Sequence, residues 1–430
     1  MFYIMKNLNS KQYSLFLTFF LIIIPSLIVF VKLCSIVIAI FALFCLLFYK
    51  ELSYSKISII LFSIIVSPLL LEILMFWNNN SYLLGIKSLE KYISLLIFPL
   101  FILGNFKKID FNKTIQIYSF VMTIIMTFFL VRFIVVFPQY INKYLNGIHL
   151  WEMGYVFSNS FGIHAPALNM HLAFVSVSSF YMIFNNFKER KIIFIKFISL
   201  IVFLISLFFV LFVNTRMALF QVIIGYLIVF FYEIVKKYNI KTAFCLFSLF
   251  FALLFSIIFI FVKNDSYMEE KYSNATFAYM DKIGKLDELN HPETIVFNSL
   301  VTRVSIWKSA WELSVKNLPF GVGSSDGKTE LIKYFKKTDQ KFLSKYEFPT
   351  HNQYLDFLLK FGILGLLVIL LYIFTIGYLG YKTQNPIIIF FFLLFFTSNI
   401  TDDFLIRFDG IAFSGFWFSI FGGFWLKELT

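Results

Sequence analysis

Apolar positions run along this chain in long unbroken blocks, and polar positions gather between them. Blocks near 13–31, 33–49, 57–76, 83–103, 114–136, 166–184, 192–213, 217–235, 242–262, 358–380, 386–401 and 411–426 approach or exceed the length a helix needs to cross a hydrocarbon core about 30 Å thick. They predict about twelve transmembrane helices. One hydrophilic stretch, about 263–350, stands before the tenth. The predicted fold is an all-α membrane protein in three parts: an N-terminal bundle of about nine spans (1–262), a loop domain (263–350) and a C-terminal set of about three spans (351–430). No internal repeat and no inverted pair of broken helices is visible.

Composition agrees with this pattern. Sixty per cent of the residues are hydrophobic and 14% are charged, far from the balance of a soluble domain. Lys and Arg total 37 against 24 Asp and Glu. In a soluble protein that excess would suggest nucleic acid; here its placement suggests topology, with no nucleic-acid partner. Lys50, Lys56, Lys107, Lys108, Lys113, Lys188, Arg190, Lys191, Lys236, Lys237, Lys241, Lys382 and Lys427 all fall in alternate loops. The other short loops hold few cations: Lys32, Lys143, Arg216 and Arg407. Positive loops stay in the cytoplasm, so both termini are expected there and the 263–350 loop outside. That loop mixes Trp307, Trp311 and Phe320 with balanced charge, which predicts a small folded cap. The first span follows only Lys6 and Lys11 and lacks a small-residue cleavage site, so a retained helix is expected. Cys34, Cys45 and Cys245 all lie in spans and indicate no disulfide framework.

Ionisable groups inside spans are costly, roughly 2.5–3.5 kcal/mol each on insertion scales. Glu72, Lys87, Glu90, Lys91, Arg132, Arg216, His164 and His171 nevertheless occur, and the predicted topology puts all of them near the outer surface. Taken singly they have structural readings: Glu72 paired with Lys87 or Lys91, Glu90 with a neighbour, and His171 as a structural residue. Taken together their cations outnumber their anions, which calls for an anionic partner such as a lipid-linked phosphate or diphosphate.

The outer loop carries NSLVTRVSIWKSAWELSVKNLPFGVG, residues 298–323. Arg303, Trp307 and Trp311 recur every four residues and share one helix face. The tryptophans are read as anchors, in the cap core or at the membrane interface. Arg303 carries a planar fork of donors suited to phosphate. GVGSSDGKT, nearby, imitates a phosphate-binding loop, but its first glycine is out of register and no strand pattern precedes it. Thr350-His351-Asn352-Gln353 matches a capping box with Thr350 as N-cap. It would set His351 in the first helical turn, where the partial positive charge of the helix end disfavours imidazolium and leaves a base able to accept a proton. The same helix end attracts anions. The adjacent acids Asp402 and Asp403 are read as poorly placed to share a metal ion.

These stretches carry a resemblance. The chain resembles the O-antigen ligase and O-antigen polymerase family of bacterial membrane glycosyltransferases. HNQYLDFLLKFGILGLL is similar to that family's His-Asn-x-x-Leu…Gly-x-x-Gly signature, RVSIWKSAWELSVKNLPFGVG to its Arg-x-x-x-Trp…Pro-x-Gly-x-Gly loop segment, and NTRMALFQVIIGYLI to its Ser-Arg turn, with Thr215 where Ser is usual. The resemblance implies a multi-pass protein of the bacterial inner membrane that needs no metal and no cofactor. It implies transfer of a glycan from undecaprenyl diphosphate to an acceptor hydroxyl at the periplasmic face, with inversion. Lipid A core as acceptor makes a ligase; another lipid-linked repeat makes a polymerase, and a protein hydroxyl an oligosaccharyltransferase. By resemblance Arg216 and Arg303 would bind the diphosphate and His351 would act near the acceptor. Asn352, Arg132, Lys87, Lys91 and His164 are the expected supporting substrate contacts. A transporter of lipid-linked sugars, the rival of another class, would place its charges at the bilayer midplane.

Overall fold

The computed structural model describes residues 10–146, 152–188, 191–263, 277–297 and 299–430. Lys6, Arg190 and the start of the long hydrophilic stretch, 264–276, lie outside the described residues. Helices occupy every apolar block: α1 (Ser10–Leu27), α2 (Val31–Leu47), α3 (Lys56–Leu74), α4 (Tyr82–Tyr92), α5 (Ser94–Gly104), α6 (Phe111–Val136), α7 (Ala165–Lys188), α8 (Ile193–Val213), α9 (Arg216–Val235) and α10 (Ile240–Lys263). The hydrophilic stretch then supplies α11 (Leu300–Lys316) and α12 (Gly327–Lys337), and the chain ends with α13 (Gln353–Thr383), α14 (Pro386–Thr401) and α15 (Phe408–Glu428). No strand occurs among the described residues. Six helices, α3, α6, α7, α8, α9 and α13, are long and apolar enough to cross a membrane by length and composition; α1, α2 and α14 are shorter apolar helices. The block predicted as one span over 83–103 is divided at Ile93 into α4 and α5. Lys87, Glu90 and Lys91 all fall in α4, while α5 has no charged residue.

The chain is a multi-pass membrane protein, and its packing is that of one. Leu15, Ile36, Phe128, Val135, Phe194 and Phe255 are largely exposed on the outside of the bundle, where lipid takes the place of water. The centre belongs to α15, buried along almost its whole length and packed against α3, α5 and α13. Its rings interlock with neighbours: Trp417 meets Tyr118 of α6 and Phe174 of α7, and Phe413 meets Phe391 of α14. Such packing, not water exclusion, holds helices together in lipid.

Residues 277–297 and 299–350 form a small helical unit with its own apolar core of Val301, Ile306, Ala310, Leu331, Phe335, Phe342 and Leu343, which Leu359 of α13 joins. A kink in α13 fixes this cap to the bundle. Gly362 has φ 63° and ψ −146°, so the helix ladder breaks there. The Leu318–Gly323 turn fills the break. Val322 N–H donates to the Leu359 carbonyl (2.9 Å), Gly323 N–H to that of Lys360 (3.0 Å), and Ile363 N–H to that of Pro319 (3.2 Å). A Cβ on Gly362 would collide with the Pro319 carbonyl, so glycine is required for conformation and for space. The stretch that imitates a phosphate-binding loop serves to dock the cap on the turn after α3. Ser324 and Ser325 donate to Asn79 Oδ1, and Asp326 accepts from Asn80 N–H. Of the two places expected for the tryptophans, the cap core is excluded. Trp311 is exposed, and Trp307, outside the cap core, donates its indole N–H to the His351 carbonyl at 3.2 Å.

Candidate active site

Four helix ends and the cap meet at one end of the bundle. The starts of α7, α9 and α13 bring His164, Arg216 and His351; the α14–α15 loop brings Asp402 and Arg407; α11 of the cap brings Arg303. The α8–α9 turn is tight because Asn214 adopts a left-handed φ of 52° and Asn169 of α7 donates to Thr215 Oγ1 (2.8 Å). Arg216 follows at once, and its side chain makes no hydrogen bond or ion pair with any described residue. Arg303 donates through Nη1 to the Thr401 carbonyl, which ties the cap helix to the residue before Asp402. Tyr155 senses the charges of Arg303, Asp402 and Arg216, and His164 those of Arg407, Asp402, His351 and Arg303. The two arginines and both histidines expected at the site are therefore neighbours. His164 stands exposed at the rim, where crowding by protein and then the Arg407 charge hold its pKa below the ordinary histidine value.

The predicted register at the start of α13 is corrected by two residues. Asn352, not Thr350, is the N-cap: its Oδ1 accepts from Leu355 N–H at 3.0 Å. Thr350 is instead turned inward, with its hydroxyl 3.3 Å from Asp356 Oδ1 and 3.4 Å from Asp403 Oδ2. Gln353 accepts from Leu405 N–H (2.6 Å) rather than closing a capping box. His351 thus precedes the helix, with φ 46°, and Asn352 has its amide oxygen engaged in the cap rather than free for substrate.

What sequence reasoning missed is Asp402. Its Oδ1 lies 3.4 Å from His351 Nδ1, and its Oδ2 lies 3.6 Å from Arg407 Nη2. Burial opposes its ionisation, but His351, a hydrogen bond from Asp403 and Arg407 outweigh that and hold Asp402 well below the usual carboxylate range. Asp403 goes the other way: burial, then the Asp402 charge, pushes it well above that range. The two acids shift in opposite directions, as members of a coupled pair do. His351, Asp402 and Asp403 also bring ligand atoms within 4.8 Å of one another, the chemistry of a small cation site, contrary to the expectation that the two acids are badly placed. The Arg407 guanidinium competes for the same carboxylate.

Other expected contacts lie elsewhere. Lys87 and Arg132 are exposed, and their side chains make no hydrogen bond or ion pair with any described residue. Lys91 is exposed and senses the charges of a second, buried network formed by Lys360, Glu72 and Asp356. There Lys360 Nζ meets Asp356 Oδ2 at 2.7 Å, and Glu72 Oε1 accepts from Ser88 (3.0 Å) rather than from Lys87 or Lys91. His171 is fully buried with its ring 4.1 Å from that of Phe413.

Residues 201–370 match the family model described as O-antigen ligase. The match takes in Arg216, Arg303 and His351 and stops short of Asp402 and Arg407. No curated protein matches the chain.

Proposed function

On the strength of that match, which supports membership of the O-antigen ligase family, we propose that this protein transfers a glycan from a polyprenyl diphosphate, undecaprenyl diphosphate in a bacterial inner membrane, to an acceptor hydroxyl on the outer face. The leading acceptor is lipid A core. The observation that carries the reading is the His351–Asp402 contact beside Arg303. Asp402 accepts the Nδ1 proton, which orients the imidazole and leaves Nε2 as the acceptor of a proton. The acceptor oxygen attacks the anomeric carbon from the side opposite the diphosphate. Its proton passes to His351 Nε2, and the bond from that carbon to the phosphate oxygen breaks with its electron pair moving to the diphosphate. That sequence inverts the anomeric centre. Arg216 and Arg303 neutralise the growing charge through planar forks of donors. The reading needs no metal.

The test is transfer by purified protein in lipid nanodiscs, with a defined undecaprenyl-diphosphate glycan and three acceptors offered in parallel: lipid A core, a second lipid-linked repeat and a serine-containing peptide. Transfer to lipid A core supports the ligase reading. Transfer only to another acceptor reassigns it, and no transfer to any overturns the enzyme reading. Arg216→Lys and Arg303→Lys are each expected to lose most activity although charge is kept. Wild-type turnover in both would remove the arginines from the site.

A further inference from the structure

We propose that Arg407 is a third guanidinium for the donor diphosphate, bridging a phosphate oxygen and Asp402. The proposal rests on the transferase reading above and adds a binding residue to it.

Arg407 is the N-cap residue of α15 and is followed by a helix buried almost throughout. Its side chain has no hydrogen bond with any described residue. Its Nε and Nη2 are buried without a partner, and the separation from Asp402 Oδ2, 3.6 Å, is an ion pair too long for a hydrogen bond. The guanidinium rests over the Phe404 ring at 5.8 Å. Yet the side chain keeps 35% exposure. A cation with two donors kept from water and left without an acceptor is an unusual resting state, because charged donors kept from water need acceptors. Arg303, by contrast, has one nitrogen engaged by Thr401.

Charge points to the same ligand class. Arg216, Arg303 and Arg407 share one mouth of the bundle with Asp402, Asp403 and Asp409. Asp409 is buried at the start of α15 with one oxygen unpartnered. A diphosphate diester carries two negative charges and gains a third when the glycosyl bond breaks, an anion that three guanidinium forks suit. Asp402 is also shared: one oxygen faces His351 and the other Arg407. A phosphate on Arg407 would lie on the far side of the carboxylate from the base, so donor and base would be set by one rigid Arg–Asp–His row.

The experiment compares Arg407→Lys and Arg407→Gln with Asp402→Asn, each purified in nanodiscs and checked for thermal unfolding. The readouts are binding of geranylgeranyl diphosphate as probe, donor KM, kcat and the pH profile. Arg407→Lys is expected to weaken the probe and raise donor KM by about 10-fold, and Arg407→Gln by up to about 100-fold, the range of one or two charge-assisted hydrogen bonds. The pH profile should stay in place. Asp402→Asn should instead lower kcat and leave probe binding near wild type. If both Arg407 variants fold and bind the probe as wild type does, the proposal is overturned. So is it if they reproduce the Asp402→Asn pattern, which would make Arg407 only a neutraliser of that acid. Arg216→Lys and Arg303→Lys run alongside. If they too keep full turnover, the transferase site itself is wrong; if they fail and Arg407→Lys does not, only this residue is misassigned. Arg407→Lys, the milder change, carries the test where Arg407→Gln does not fold.

Discussion

Asp402→Asn removes one charge and almost no volume, which makes it the sharpest probe of the base. As the acceptor hydroxyl loses its proton, His351 becomes positive, and Asp402 Oδ1 stands 3.4 Å from Nδ1. At an effective dielectric of about 20, a full unit charge pair at that distance is worth about 5 kcal/mol. Two features discount it. The His351 side chain keeps 24% exposure, and Arg407 shares the carboxylate. Taking about half leaves roughly 2–3 kcal/mol, a loss of about 10²-fold in rate. The amide adds a second fault, because its NH₂ can hydrogen-bond Nδ1 and force the proton onto Nε2, the atom that must accept. The assay is single-turnover transfer in nanodiscs at saturating donor, from about pH 5 to 9, beside a prenyl-diphosphate binding measurement. The rate of Asp402→Asn should fall by about 10²-fold with donor binding kept. A rate within about twofold of wild type across that range would refute the pairing, since the proton would then be leaving by another route.

Asp403→Asn separates the two acids. Asp403 is raised in the folded state above its unfolded value near 3.9, so its stabilising share is complete below that pH and is lost as pH rises through the folded value. Asparagine mimics the protonated acid, so the Tm of the variant relative to wild type should grow more favourable from about pH 5 to pH 9; a difference independent of pH would contradict a protonated Asp403. Gly362→Ala should loosen the cap, because the positive φ and the collision with Pro319 together cost several kcal/mol. Limited proteolysis within 277–350 and loss of transfer are the readouts, and a resistant, active variant would show that the kink does not hold the cap. Chelation of divalent ions should leave the rate unchanged; a loss restored by one added ion would reassign His351, Asp402 and Asp403 to a metal. A reporter fused at Lys285 should be active only outside the cytoplasm and one at Thr430 only inside, and the reverse at Lys285 would undo the orientation.

The helices were legible because lipid imposes one rule along the whole chain: each crossing must be apolar and must satisfy its own backbone. Arg216, Arg303 and His351 stood out as candidates for a related reason, as polar groups whose cost at a membrane edge demands an explanation. The register at Thr350 was not. Thr350 and Asn352 are both good N-caps by local chemistry, and what decides between them is a tertiary demand: Asp356 and Asp403 draw the Thr350 hydroxyl inward. Local propensity cannot see a partner that arrives 53 residues later. Asp402 was hidden in the same way. Weighed with Asp403 for a metal, the pair fails on spacing; weighed for a base, it needs a histidine 51 residues upstream, and only the packing of α13 against α14 brings them together. A signal was nonetheless present. Two acids in a short loop between apolar helices are held near a membrane, where one must be paired and the other protonated. Arg407, later in the same loop, marks it as a place where charge is organised. An acidic pair beside an arginine at the mouth of a bundle that also presents Arg216 and His351 should therefore be tested first as the orienting partner of the base. The reason is electrostatic: in a site already crowded with guanidinium groups, the ionised carboxylate goes where it steadies both a fixed cation and a transient one.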